Sequence, residues 1–112
     1  MPHIIIEYCE TLKTLDIPKL VAKLHENLAA QDTVNIHAIK SRAIPVQYVI
    51  VGDGAEPDKM VHVCLKLLPG RADALKKTMA QGLFDTARKH IIDPSISLSV
   101  EVTELHAASY TK

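Results

Sequence analysis

The residue best able to do chemistry stands second in the chain. The sequence opens MPHIIIEY, with Pro2 directly behind the initiator methionine. Methionine aminopeptidase removes Met1 when the following residue is small, and proline qualifies. The chain would then begin with a secondary amine, the only one a polypeptide can present. An ordinary α-amino group titrates near ~7.7–8.0. Desolvation among apolar residues and nearby cations both disfavour the ammonium form and lower that value. A neutral amine at about pH 7 serves as a general base, and it works best with a pKa near the working pH. The run after Pro2 reads as a strand, so a rigid element would hold the amine. The plainer alternative is that Pro2 merely follows Met1.

The cations come next, because arginine is scarce: Arg42, Arg71 and Arg88 are the only three. Lys40 and Arg42 stand together in IKSR, and Arg71 ends LPGR. A planar guanidinium is suited to carboxylates, and a developing oxyanion needs positive charge beside it. Arg71 precedes a helical segment, where the helix dipole disfavours a cation, so a substrate role gains weight. Arg88, with Lys89 near the far end of that segment, suits the dipole and reads as a surface residue. His3, His25, His37, His62, His90 and His106 form no metal-type pair, so no metal site is expected. His3 reads as structural. GDGAE lacks the Lys-Ser/Thr of a phosphate loop and reads as a hairpin loop. Cys9 and Cys64 have no metal-type spacing and read as buried thiols. Glu7 and Glu101 fall on polar strand positions, where they would either face solvent or pair across a subunit interface, and the interface is the favoured reading.

The chain has 112 residues, 47% of them hydrophobic, with no Trp and one Phe. That suits one domain with an aliphatic core. The 13 basic and 13 acidic residues balance, which argues against a nucleic-acid or anionic-membrane surface. Neither a leader pattern nor an apolar run of the ~20 residues of a membrane span is present. A soluble cytoplasmic protein is the expectation.

The elements that must position these residues follow from periodicity. His3–Tyr8 reads as a strand. Asp16 is a plausible N-cap and Pro18 a first-turn residue. Ile17, Leu20, Val21, Leu24 and Leu28 then give a helix of roughly 14 residues ending near Gln31–Asp32. Val34–Val51 reads as a long strand or strand pair, broken or bulged near Pro45. GDGAEPDK is a loop. Val61, Val63, Leu65 and Leu67 alternate as a half-buried strand. Ala72–Ile91 is helical, with Leu75, Met79, Leu83 and Ala87 on one stripe. Ile96, Leu98, Val100 and Val102 alternate as a last strand. The order is β-α-β, loop, β-α-β. The expected fold is α/β: one four-stranded mixed sheet from residues 1–112, with both helices on one face. The other face lacks cover within the chain and is expected to be apolar, so an oligomer is predicted to bury it.

PHIIIEY, LVAKLHENLAA, IKSR, MVHVCLKLLPGR and SLSVEVTELH, in this order along nearly the whole chain, resemble the tautomerase superfamily. Within it they resemble the 5-carboxymethyl-2-hydroxymuconate isomerases. The resemblance implies an amino-terminal proline base, a homotrimer and no cofactor. It implies that Pro2 moves a proton between a dienol oxygen and a carbon, and that Arg71 and Arg42 bind substrate carboxylates. Lys40 stands where the family carries an arginine, so a point charge replaces a bidentate fork. Gln47 and Tyr48 occupy a region where the family often has tryptophans.

The expected activity is therefore a cofactor-independent keto–enol isomerisation of a small unsaturated 2-hydroxy/2-oxo polycarboxylic acid, in aromatic-compound degradation. Pro2 and Lys40 would be catalytic, and Arg42 and Arg71 substrate-binding. The alternative is a non-catalytic trimeric small-molecule-binding or scaffold protein of the same fold, which the lysine at position 40 favours.

Overall fold

A computed structural model of the chain describes residues 1–55 and 58–112. Its strands are β1 (His3–Cys9), β2 (Lys40–Val46), β3 (Met60–Leu67) and β4 (Ser97–Glu104). Its helices are α1 (Ile17–Ala29) and α2 (Asp73–His90), and short 3-10 turns span Ile36–Ala38 and Ala107–Ser109. The sheet order is β2-β1-β3-β4. β1–β2 and β3–β4 pair in parallel, and β1–β3 pair antiparallel. The expected doubled β-α-β plan is thus the observed one.

The helices form where composition and capping agree. Asp16 caps α1, its carboxylate accepting from the Lys19 N–H at 3.1 Å, and Pro18 sits in the first turn, where a missing N–H costs little. Leu20, Leu24 and Leu28 bring one apolar stripe fully into the core. Met79, Leu83 and Ala87 do the same for α2. These stripes meet Ile4, Ile6, Val61, Val63 and Leu65 in one aliphatic core. Burying each large side chain contributes about 1.5–3 kcal/mol.

The stretch Val34–Val51 departs from the long-strand expectation. Only Lys40–Val46 is strand. Before it, Asn35 caps the 3-10 turn through its side chain, which accepts from the His37 N–H at 3.0 Å. Pro45 neither breaks nor bulges β2, and it stays in register opposite Tyr8. The reason is that β2 is an edge strand, where a missing ladder donor is tolerated. Residues 47–51 are not strand; the Val51 N–H is taken by the Asp58 carboxylate at 2.7 Å. The loop after them forms as expected through Ala55, and Glu56 and Pro57 of GDGAEPDK lie outside the described residues.

The uncovered sheet face also differs from expectation. Cross-strand register places Lys40, His3, Lys66 and Thr103 in one row, then Arg42, Ile5, Cys64 and Glu101, then Ile44, Glu7, His62 and Ser99. This face is mixed and largely polar rather than apolar. Glu101 finds its partner within the chain, accepting from His62 Nε2 at 2.6 Å, while His62 Nδ1 meets Ser99 Oγ at 2.6 Å. Large exposed apolar side chains lie instead at and beyond the β2 edge, Ile44, Tyr48 and Ile50, with Ile36 before it and Ile92 after α2. Cys9 is buried and Cys64 half-buried, both as free thiols.

Candidate functional site at the amino terminus

Topology gathers four chain segments at one end of the sheet. β1 and β2 start side by side because they are parallel, and the Lys40 N–H donates to the Pro2 carbonyl at 3.0 Å. β3 runs antiparallel to β1, so Lys66 faces His3 and the LPGR turn that follows emerges beside the amino terminus. β4 is parallel to β3 and ends there too, with the Leu105 N–H donating to the Leu67 carbonyl at 2.7 Å. Pro2 is buried at this junction. The amino group of the chain lies well placed to feel its surroundings. It is the amino group of Met1, and its pKa is lowered from 8.0, by desolvation first and then by the cations Lys112, Arg71 and Lys40.

Arg71 is positioned by its turn and by the loop after α1. Gly70 has φ +126°, a conformation that L side chains rarely adopt. The half-buried Arg71 guanidinium donates from Nε to Thr33 Oγ1 at 3.2 Å and from Nη2 to the Thr33 carbonyl at 2.9 Å. One edge of its fork is thereby fixed, and Nη1 has no hydrogen-bond partner among the described residues.

Lys40 and Arg42 share the open sheet face, but only Lys40 acts on the amino group. Arg42 is exposed and reaches sideways to His3, its Nη1 donating to His3 Nδ1 at 3.1 Å. A guanidinium cannot accept, so Nδ1 is the unprotonated nitrogen. The imidazole therefore carries its hydrogen on Nε2 and donates to the Tyr110 hydroxyl, 2.7 Å away. The two rings meet edge to face, with centroids 5.9 Å apart. The neutral state is reinforced electrostatically. His3 has its pKa lowered from 6.5 by burial, then by Arg42, Lys40, the amino terminus and Lys66.

Of the four residues singled out from sequence, the structure thus gathers Pro2, Lys40 and Arg71 around the amino terminus and engages Arg42 through His3. Sequence reasoning missed His3, Thr33, Tyr110 and Lys112 as members of this cluster. His3 read as structural, and only the β1–β2 register puts it on the face of Arg42; Thr33, Tyr110 and Lys112 carry no local signal. Arg88 is a structural tie rather than a free surface cation. It is half-buried and donates to the Asp93 and Ile96 carbonyls at 3.4 and 3.2 Å.

Two open clefts lie at the opposite end of the sheet. One, of about 710 Å³, runs between Thr11–Asp16 and Lys89–Asp93; the other, of about 470 Å³, adjoins Cys9, Val46 and Asp58. Neither includes Pro2, Lys40, Arg42 or Arg71. Among the described residues no three His, Cys, Asp or Glu gather into a metal-holding group. Nor is any helix of the described residues long and apolar enough to cross a membrane.

Comparison with known proteins agrees with this geometry. The profile of the family 5-carboxymethyl-2-hydroxymuconate isomerase matches residues 2–112. The chain is 31% identical over 111 residues to a 5-carboxymethyl-2-hydroxymuconate Delta-isomerase of Escherichia coli, covering 95% of this chain and 88% of that one. It superposes on a 5-carboxymethyl-2-hydroxymuconate isomerase from Deinococcus radiodurans R1 with a TM-score of 0.90 at 31% identity, over 99% of this chain and 87% of that one. A fused 4-OT described as a symmetric trimer shares the fold alone, at a TM-score of 0.74 and 10% identity over 92% of this chain and 86% of that one. The chain belongs to the 5-carboxymethyl-2-hydroxymuconate isomerase family, a family of isomerases, and has the tautomerase fold.

Proposed function

We propose that the protein isomerises a small unsaturated 2-hydroxy/2-oxo polycarboxylic acid of the 5-carboxymethyl-2-hydroxymuconate type, with Pro2 as the base after removal of Met1. The observation that carries this reading is the convergence of Lys40 and Arg71 on the buried Pro2 end of the chain, where they already disfavour the ammonium form of the Met1 amine one residue away. The neutral Pro2 nitrogen takes the proton of the 2-hydroxyl group. Negative charge then develops on that oxygen, where the Lys40 ammonium stabilises it. The new prolinium returns the same proton to a carbon of the diene, which leaves the 2-oxo product and the free amine. Arg71 holds a carboxylate with the part of its fork that Thr33 leaves open. Arg42 is a positioning residue, keeping His3 in the tautomer that meets Tyr110.

A trimer is part of the proposal. The symmetric fused trimer of the same fold supports it, and so do the exposed Tyr48 and Ile50 beyond the β2 edge. The setting is the cytoplasm, where two free thiols stay reduced, and the pathway is the breakdown of aromatic compounds.

The test uses protein whose mass confirms a free Pro2 amine. It is mixed with 5-carboxymethyl-2-hydroxymuconate and with simple 2-hydroxydienoates, and the ultraviolet spectrum is followed. Rapid conversion of the tricarboxylate, lost by roughly 10²–10⁴-fold in Pro2→Ala, is the expected result. No conversion of any dienol by folded protein overturns the isomerase reading in favour of a binding protein.

A further inference from the structure

The C-terminal tail ends on the amino terminus. After β4 the chain turns through Ala107–Ser109, the His106 imidazole and carbonyl both holding the Ser109 hydroxyl. Tyr110, half-buried, then accepts from His3 Nε2 at 2.7 Å. Two residues on, Lys112 Nζ lies 3.0 Å from Met1 Sδ. That sulfur is a weak acceptor, and it belongs to the residue that departs when Pro2 becomes the terminus. Among the described residues Lys112 takes part in no ion pair.

Charge arithmetic on the substrate asks for such a group. A tricarboxylate brings three negative charges, whereas Lys40 and Arg71 supply two positive ones, and Thr33 already occupies part of the Arg71 fork. Arg42 is not the missing cation, for its guanidinium is turned to His3 at 3.1 Å, and Lys66 faces His3 from β3. Lys112 lies against the Met1 side chain, its Nζ 3.0 Å from Sδ, and is the foremost cation acting on the Met1 amino group.

We propose that Lys112 is a substrate-binding residue: the tail carries it to the amino-terminal proline, where it takes one carboxylate of a polycarboxylic substrate, and Tyr110, docked on His3, positions it. The inference rests on the isomerase reading for its substrate, but it is tested separately from it. Specificity is its consequence. A substrate with three carboxylates uses Lys112, and a dienol with a single carboxylate does not. Arg71 and Lys40 also act on the amine, and His3 is neutral beside them. Removing the Lys112 charge therefore leaves two cations rather than none.

Two measurements on the full-length protein decide it. In the first, propane-1,2,3-tricarboxylate, which cannot be isomerised, is titrated into the wild type, Lys112→Ala and Lys112→Arg and followed by NMR. Affinity should fall about 10–100-fold in the alanine variant, the loss of one charge-assisted hydrogen bond, and return in the arginine variant. In the second, kcat/KM is measured for the tricarboxylate dienol and for a monocarboxylate 2-hydroxydienoate. At pH above the acid limb, Lys112→Ala should lose activity on the first by a similar factor through KM and lose much less on the second, and it should move the acid limb upward for both. Tyr110→Phe should raise KM for the tricarboxylate alone. Lys112-dependent binding without turnover of any dienol would sink the isomerase reading and sustain the Lys112 site. Equal binding by wild type and Lys112→Ala, or no binding by either, would overturn the Lys112 site whatever the enzyme's activity.

Discussion

Arg71 offers the most informative perturbation of the proposed chemistry, because its two contributions separate by substitution. Its guanidinium makes two hydrogen bonds to Thr33, and its charge acts on the amino group. Arg71→Ala removes both; Arg71→Lys keeps the charge and loses the fork. Each Thr33 bond contributes about 0.5–1.5 kcal/mol net, so Arg71→Ala should cost about 1–3 kcal/mol in urea denaturation. The substrate carboxylate adds a charged hydrogen bond of about 1.5–3 kcal/mol, which corresponds to roughly 10–150-fold in kcat/KM. Charge and fork differ again in the pH profile. The Arg71 cation is one cause of the lowered pKa of the Met1 amine, and it acts in the same sense on a Pro2 amine in that place, so its removal raises the pKa of the base. The base works only when neutral. The acid limb of kcat/KM should therefore move to higher pH in Arg71→Ala and stay near its original place in Arg71→Lys. The assay is the ultraviolet conversion of the dienol from pH 5 to 9. An alanine variant within about threefold of wild type, with an unmoved acid limb, would refute the assignment of Arg71 to substrate and base alike.

Three further outcomes follow from the geometry. His3 is held neutral with its pKa lowered from 6.5, so the unfolded chain binds the extra proton first. Stability should be complete above pH 6.5 and fall as pH drops below it. In His3→Gln the slope of Tm against pH between 6.5 and 5 should flatten, and an unchanged slope would show that His3 is not its source. A Cβ on Gly70 meets nothing within 4 Å, so the cost of Gly70→Ala comes from φ +126° alone. We expect a loss of about 1–3 kcal/mol, read by denaturation, with a raised KM because Arg71 is the next residue. Leu24→Ala empties a fully buried position between α1 and the sheet. It should cost about 2–5 kcal/mol in the denaturation midpoint while the pH profile of the remaining activity stays put.

What the sequence alone determined is what neighbours in the chain can specify. The β-branched run of HIIIEYC and the alternation in MVHVCLKL and SLSVEVTE set three of the four strands. The stripes Leu20–Leu24–Leu28 and Met79–Leu83–Ala87, with the Asp16 cap, set both helices. The proposal of Pro2 as an amine base and of Arg71 as a substrate cation was drawn from the same kind of signal: each depends on residue type and on the few residues beside it. β2 was less so, because the tolerance of Pro45 depends on its strand lying at the sheet edge, which periodicity does not record.

Tertiary structure alone decided which side chains meet. Arg42 and His3 lie 39 residues apart, His3 and Tyr110 107, and Met1 and Lys112 111. Such contacts are products of strand order and chain reversal, not of local pattern. The same order makes the open face polar, since the register aligns Lys40, His3 and Lys66 in one row although each reads locally as an ordinary polar strand position. Antiparallel pairing of β3 with β1 carries the turn with Arg71 to the amino terminus, and parallel pairing of β4 with β3 brings the tail after it. Residues 1–2 and 110–112 and the isolated cations Lys40 and Arg71 meet because the strand order brings them to one end of the sheet, where their charges act over ångströms rather than over a hundred residues.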